Sequence, residues 1–458
     1  MSDNHEPILN EDPKAPWDQL HELISANEVH ETREFLNKLE SDETLRVFSR
    51  LDSEDQQQLL SSLSPIEAAE IILDVPDEQA ADLVEQLPTK DAASILEEME
   101  SNEQADIVGD LDEEDAEAIL AEMDPAEAAE VRTLATYPDD EAGGLMVTEY
   151  VSFKEYSQVN EVINFLQQTK ENPLEFDANF YVTSDKNKLI GVLSLRELLI
   201  VPKETILQNI SKDALFVHVS TSIDELESFF EEHNFFGVPV VDEASRLVGV
   251  VRRQDLLRAI VERADKAQLK SKGIVSGEET RTMPTFTRSR RRLSWLSVNI
   301  VLNVISASVI ALFTDTLSAV IALAVFLPIV SDMSGCSGNQ AVAVSMRELS
   351  LGLVKPIDVL HVWFKEVKVG LLNGIALGIL IGVVAYLWQH NVYLSFVIGF
   401  ALALNTLVAV SIGGTVPLLL RKFNVDPAVA SGPVLTTITD LCGFFLVLSI
   451  ATMMLPLL

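Results

Sequence analysis

DPAVASGPVLTTITDLCGFF, residues 426–445, opens an apolar run and places one carboxylate, Asp440, well inside it. Continued to residue 456, the run exceeds the roughly 20 helical residues needed to cross a ~30 Å hydrocarbon core. A charge at the centre of such a span costs ~2.5 kcal/mol or more on insertion scales, so it calls for a reason. Asp440 lies about twelve residues in, or ~18 Å at 1.5 Å per residue, close to the midplane. Thr436, Thr437 and Thr439 flank it, and their hydroxyls can hold the waters of a hydrated ion. The bland alternative is a protonated acid hydrogen-bonded between helices.

Working outward, further apolar stretches fall near 293–313, 317–345, 367–388 and 393–420, giving five expected spans with 428–456. The second holds another acid, Asp332, in LPIVSDMSGCSGNQ (327–340), where a structural hydrogen bond and a pore role weigh equally. Gly335 and Gly338 in that run, Gly413, Gly414 and Pro417 in the fourth span, and Gly432 and Pro433 in the fifth have two readings. Either the helix opens and turns carbonyls toward a water-filled path, or small residues let helices pack closely. A site built from oxygen ligands without a His or Cys cluster suits a hard cation such as Mg²⁺, which dehydrates reluctantly.

The basic residues of this half all lie on one side of the spans. Arg288 and Arg290–Arg292 precede the first; Arg347, Lys355, Lys365 and Lys368 separate the second from the third; Arg421 and Lys422 separate the fourth from the fifth. Positive charge is retained in the cytoplasm. The expected location is the inner (plasma) membrane, multi-pass among membrane lipid, with the N-terminus cytoplasmic and the C-terminus outside. The chain begins MSDNHEPILNEDPK with no apolar leader core, so insertion is expected from the internal spans.

The rest of the 458-residue chain is of opposite character. Asp and Glu number 70 against 33 Lys and Arg, and all but seven of the acids precede residue 288. Such a surface attracts cations, and it excludes nucleic acid as a partner because phosphate neutralisation needs Lys and Arg. Between about 63 and 130 the chain repeats every twelve residues, with Leu63, Val75, Leu87, Met99, Leu111 and Met123 in register. Each unit starts with a turn or cap residue and continues as a short amphipathic helix, which predicts an all-α solenoid. A second repeat follows, LIGVLSLRELL at 189–199 returning as LVGVVRRQDLL at 247–257, each copy reading strand, turn, helix.

This second repeat resembles a tandem pair of CBS domains. The resemblance implies an adenine-nucleotide site, ATP or a relative, at a hydroxyl and an acid three residues on. Ser194 and Glu197 fill those positions in the first copy; in the second Arg252 replaces the hydroxyl and Asp255 remains. A polar helix at about 255–272 then leads to the membrane half. Taken in order, acidic repeat, CBS pair, connecting helix and five spans resemble the MgtE family of magnesium transporters and channels. EAGGLMVTEYVSF (141–153), the 327–340 run and the 426–445 run carry the likeness.

The resemblance implies a homodimer whose spans line a cation pathway, with Asp440 facing the pore to hold hydrated Mg²⁺ and Thr436 and Gly443, one turn away on either side, supplying oxygen. It also implies a gate closed by cytosolic Mg²⁺ bridging the connecting helix to the CBS and N-terminal acids, for which Asp255, Glu262 and Asp265 are the candidates. Two departures stand out. Ser334 and Cys336 replace residues of a glycine–asparagine motif, and the connecting helix carries Arg258, Arg263, Lys266, Lys270 and Lys272. A basic helix offers a rival in which the acidic repeat docks on these cations directly.

The expected fold is thus multidomain: an acidic all-α repeat over 1–135, an α+β CBS pair over 145–262, a connecting, plug-like helix and basic linker over 255–287, and a five-helix α-helical transmembrane domain over 288–458. The expected function is magnesium transport. Transport of another divalent ion such as Co²⁺, or a membrane-anchored CBS sensor, are the alternatives. An enzyme is not expected, since no nucleophile–base pair, phosphate loop or metal-hydrolase spacing appears.

Overall fold

The computed structural model describes residues 15–168, 179–274, 279, 281, 283, 285–423 and 425–458, in two compact units, Met1–Arg263 and Ala264–Leu458. Residues 1–14 of the expected first domain and 275–278, 280, 282 and 284 of the expected linker lie outside the described residues.

The first unit opens with helices α1 (Pro16–Ser25), α2 (Val29–Leu36), α3 (Ser41–Phe48), α4 (Ser53–Ser62), α5 (Pro65–Leu73), α6 (Asp77–Gln86), α7 (Thr89–Leu96), α8 (Ser101–Asp110), α9 (Glu113–Glu122) and α10 (Pro125–Leu134). Their starts are written into the repeat. Asp52 accepts from the Asp55 amide at 2.9 Å, and Ser64 forms a capping box with Glu67 ahead of Pro65. The residues that keep the twelve-residue register sit at helix ends: Leu63, Leu87, Leu111 and Met123 are the C-cap residues of α4, α6, α8 and α9. All but the half-buried Leu111 are buried against a core that includes Phe48, Leu59, Ile72 and Leu96. Helices two apart pack together, α5 on α7, α6 on α8, α7 on α9 and α8 on α10, so the solenoid has two rows. The period predicts the units but not this alternation.

After α11 (Ala142–Leu145) come two similar sheets. In the first, β1 (Ser152–Lys154) runs parallel to β2 (Asn179–Thr183), which is antiparallel to β3 (Leu189–Ser194), with α12 (Val159–Gln168) and α13 (Leu195–Leu198). In the second, β4 (Val217–His218), β5 (Gly237–Val241) and β6 (Leu247–Arg252) repeat that order, with α14 (Ile223–Glu232) and α15 (Arg253–Ser271). The register breaks at Val182/Thr183 and again at Val240/Val241. Asn187 and Ser245 take left-handed φ of 60° and 59° at matching turns. Those turns join the halves: the Leu247 amide donates to the Asn187 carbonyl at 3.0 Å, and the Leu189 amide to the Ser245 carbonyl at 3.2 Å. These are the paired α+β halves of a CBS module.

The second unit contains α16 (Thr285–Leu312), α17 (Thr314–Ala319), α18 (Leu323–Ser350), α19 (Val359–Gln389), α20 (Val392–Lys422) and α21 (Pro427–Met454). Among the described residues four helical segments, Thr285–Leu312, Pro356–Gln389, Val392–Lys422 and Pro427–Met454, are long and apolar enough to cross a membrane. The sequence predicted five. The remaining one, α18, is about 42 Å long at 1.5 Å per residue. Its serines, Asp332, Asn339 and Gln340 lower its apolarity, and its Phe326, Val330, Ser331, Ser334 and Ser337 are buried within the unit. The third helix also begins earlier than the expected 367, which brings Glu366 into it.

Helix α20 is the centre of this unit, with α18, α19 and α21 packed on it, while α16 packs on α21. Close approach of backbones builds the seams. A Cβ on Gly378 would lie 2.5 Å from the Gly399 carbonyl oxygen, and one on Gly413 would lie 2.3 Å from that of Gly338. The glycine run of 335–338 is therefore a packing surface on a continuous α18, and the helix does not open there. Outward, Ile300, Val304, Leu372, Ile379 and Leu387 are exposed. An apolar surface of this kind belongs in lipid or against a second chain.

Candidate functional site

Asp440 lies midway along α21, which starts at Pro427 beneath an Asp426 cap bonded to the Ala428 amide at 2.8 Å. Its carboxylate is half-buried, and the Ser331 hydroxyl of α18 donates to Oδ1. Asp332 is exposed, next in the chain to the Ser331 that holds Asp440. The two acids singled out from the sequence therefore share one neighbourhood.

The threonines divide. Thr436 is exposed one turn before Asp440, whereas Thr437 donates to the Pro433 carbonyl at 2.7 Å and Thr439 to that of Thr436 at 2.9 Å. The latter two spend their protons on their own helix. Gly443 is buried: a Cβ there would lie 2.8 Å from Asn405 Nδ2.

Two neighbours escaped the sequence reading. Asn405, fully buried on α20, donates from Nδ2 to Ser334 Oγ and, at 3.1 Å, to the Thr439 carbonyl. The lone polar side chains in ALALNTLVAV were the available signal. Ser331 gave none, because a serine next to Asp332 points elsewhere on the helix until the neighbouring helices are known. Glu366 of α19 is half-buried against Gly414, whose Cβ would lie 2.4 Å from its Cγ.

The remaining candidates lie on the CBS pair and on α15. Ser194 and Glu197 form a capping box on α13, and Glu197 pairs with Lys212. That hydrogen bond holds the Glu197 carboxyl below its usual range. Asp255 is only 5% exposed and bonds Arg252 Nε at 2.6 Å, with Arg258 3.7 Å away. Arg252 in turn grips both oxygens of Glu100, one of them at 2.6 Å, and Arg258 reaches Glu103 at 3.2 Å. The result is an alternating row: Glu103, Arg258, Asp255, Arg252, Glu100. Glu100 and Glu103 belong to the repeat, so part of the rival docking reading is met by Arg258. Arg263 pairs instead with Asp224 of the CBS pair at 2.7 Å. The bond to Glu100 raises the Arg252 pKa, while burial raises that of Glu103. Glu262 and Asp265 are exposed along α15.

One chain thus joins a CBS pair to apolar helices that carry a carboxylate at mid-length, the make-up expected of a membrane-embedded cation transporter. Family models agree: that for a divalent cation transporter, MgtE, matches 327–450, that for the MgtE intracellular N domain matches 45–140, and that for the CBS domain matches 142–204 and 207–262. The chain is 33% identical over 335 residues to the magnesium transporter MgtE of Bacillus subtilis (strain 168), covering 71% of this chain and 72% of that one. It is likewise 33% identical over 336 residues to that of Thermus thermophilus, covering 71% and 73%. A crystal structure of the cytosolic domain of the Mg²⁺ channel MgtE in complex with ATP is 32% identical, covers 53% of this chain and 99% of its own, and superposes with a TM-score of 0.48. The protein belongs to the MgtE family of magnesium transporters.

Proposed function

We propose that this chain carries Mg²⁺ across the inner (plasma) membrane as a homodimer, with Asp440 as the group that meets the hydrated ion. The observation that carries this is the Asp440 carboxylate, midway along an apolar 28-residue helix and held on one oxygen by Ser331. Asp332 adds negative charge nearby, and exposed Thr436 offers oxygen on the same helix. Gly443 gives Asn405 room, and the oxygen it would offer the ion is its backbone carbonyl. Segment 288–458 is the transport domain. Segments 1–135 and 145–262 form the cytoplasmic regulatory part, and 255–287 connects the two. Basic residues gathered at one end of the spans support a cytoplasmic N-terminus and an outside C-terminus.

Control by cytosolic Mg²⁺ falls to the acidic surface of the repeat and to Glu262 and Asp265, because Asp255 is already neutralised by two arginines. Nucleotide binding at Ser194 and Glu197 would require breaking the Lys212 pair. Initial rates of Mg²⁺, Co²⁺ and Ca²⁺ entry into proteoliposomes test the reading. Mg²⁺ entry above protein-free vesicles is expected; Co²⁺ entry without Mg²⁺ entry would replace the ion, and no entry of any would replace the function.

A further inference from the structure

We propose that Ser331 is a specificity-determining residue: by holding one oxygen of Asp440 it biases the carboxylate toward one-point contact, which suits hydrated Mg²⁺ and disfavours Ca²⁺. The inference rests on Asp440 being the ion-binding group. Ser331 is 6% exposed on α18, and its hydroxyl donates to Asp440 Oδ1, so one acceptor site of that oxygen is taken and the orientation of the carboxylate is set by α18.

Asn405 secures the geometry. It is fully buried on α20, and its Nδ2 reaches Ser334 Oγ, one turn beyond Ser331, and the carbonyl of Thr439, the residue before Asp440. The Ser334 hydroxyl stands near the carbonyls of Val330, at 2.7 Å, and Ser331, at 2.9 Å, so its proton serves α18 while its lone pairs accept from Asn405. Both partners of Nδ2 are acceptors, which fixes the orientation of the amide and leaves Asn405 Oδ1 without a partner among the described residues. Gly443 keeps the space open, since any Cβ there would meet Nδ2 at 2.8 Å. One side chain thus ties the helix bearing Ser331 to the helix bearing Asp440 at the level of their contact.

The chemical consequence follows from what the two ions accept. Ca²⁺ takes six to eight oxygens in flexible geometry and readily uses a carboxylate through both oxygens; Mg²⁺ demands a near-ideal octahedron and keeps several of its waters. A carboxylate whose Oδ1 is held by Ser331 must strain or break that bond to turn both oxygens squarely onto an ion. It can still accept hydrogen bonds from a hydrated one.

The test compares initial Mg²⁺ and Ca²⁺ rates in proteoliposomes for the wild type, Ser331→Ala, Ser331→Thr and Asp440→Asn. Removing a hydrogen bond to a charged group is expected to lower the Mg²⁺/Ca²⁺ rate ratio about tenfold in Ser331→Ala. Ser331→Thr keeps a hydroxyl and is expected to hold the wild-type ratio. Should Ser331→Ala fail to fold, Ser331→Cys, a weaker donor of similar size, reads the same ratio and is expected to lower it. Rates that fall together with the ratio unchanged would show that Ser331 only packs, and would overturn the inference while leaving Asp440 in place. Wild-type Mg²⁺ rates in Asp440→Asn would overturn the assignment of Asp440 itself.

Discussion

Replacing Arg252 by alanine should loosen the hold of the acidic repeat on the second CBS half. Arg252 is 16% exposed and bridges Asp255, 5% exposed, to Glu100, 41% exposed. Without it Asp255 keeps, among the described residues, only Arg258 at 3.7 Å, an almost buried carboxylate with one distant cation. Removing one partner of a buried pair costs about 3–5 kcal/mol, and the solvent-exposed Glu100 side adds about 1 kcal/mol or less. The low end is appropriate because Arg258 remains, so a loss of about 3 kcal/mol is expected, which is roughly a hundredfold in the opening equilibrium.

Hydrogen exchange on the full chain in detergent reads that opening directly. Natural reporters are the Ser101 amide, bonded to Glu149 at 2.9 Å, and the Thr148 amide, bonded to Ser101 Oγ at 2.9 Å. In Arg252→Ala both should exchange about a hundredfold faster, while amides of β2 and β3 in the first CBS half keep their rates. In the wild type, raising KCl should speed exchange at the two reporters through screening. A change below about threefold in the variant would refute the reasoning, since it would put the row of charges below ~0.7 kcal/mol. So would wild-type protection that requires millimolar Mg²⁺ at constant ionic strength, because the contact would then depend on a metal.

Two further outcomes test the membrane unit. A tag after Leu458 should be reachable only from outside spheroplasts and a tag before Met1 only after lysis; both ends on one face would require an even number of spans and would remove the five-span topology. Gly378→Ala should lower the thermal midpoint in detergent by an amount equivalent to about 1–3 kcal/mol, because backbone meets backbone at that position and no flexible side chain can yield. Gly432→Ala, where nothing lies within 4 Å, should not; equal effects of the two would show that the α19–α20 seam is not close-packed.

Features carried by one element at a time were legible in the sequence. The twelve-residue period, the two copies 189–199 and 247–257 and the apolar runs are all local patterns; the first two reappear as the elements they predict, and four of the five runs as helices apolar enough to cross a membrane. Features carried by two elements were not. Nothing local says that α6 packs on α8 and not chiefly on α7, or that Glu100 waits for Arg252 from 152 positions further along the chain. Helix α18 shows the same limit from the other side. Its glycines read equally as an opened helix or as a close-packed one, and only the neighbours decide, turning Ser334 toward Asn405 and Gly338 toward Gly413 in an unbroken helix. Ser331 became meaningful only once α21 stood opposite.

The central claim is that Asp440 is where the ion is met, and the most direct measurement is Mg²⁺ flux through Asp440→Asn in proteoliposomes at matched protein density. The substitution keeps size and one oxygen while removing the charge, and loss of an intramembrane charge should not hinder insertion. The account predicts flux near that of protein-free vesicles, with a size-exclusion profile like the wild type. Flux at the wild-type rate from correctly folded Asp440→Asn would contradict it.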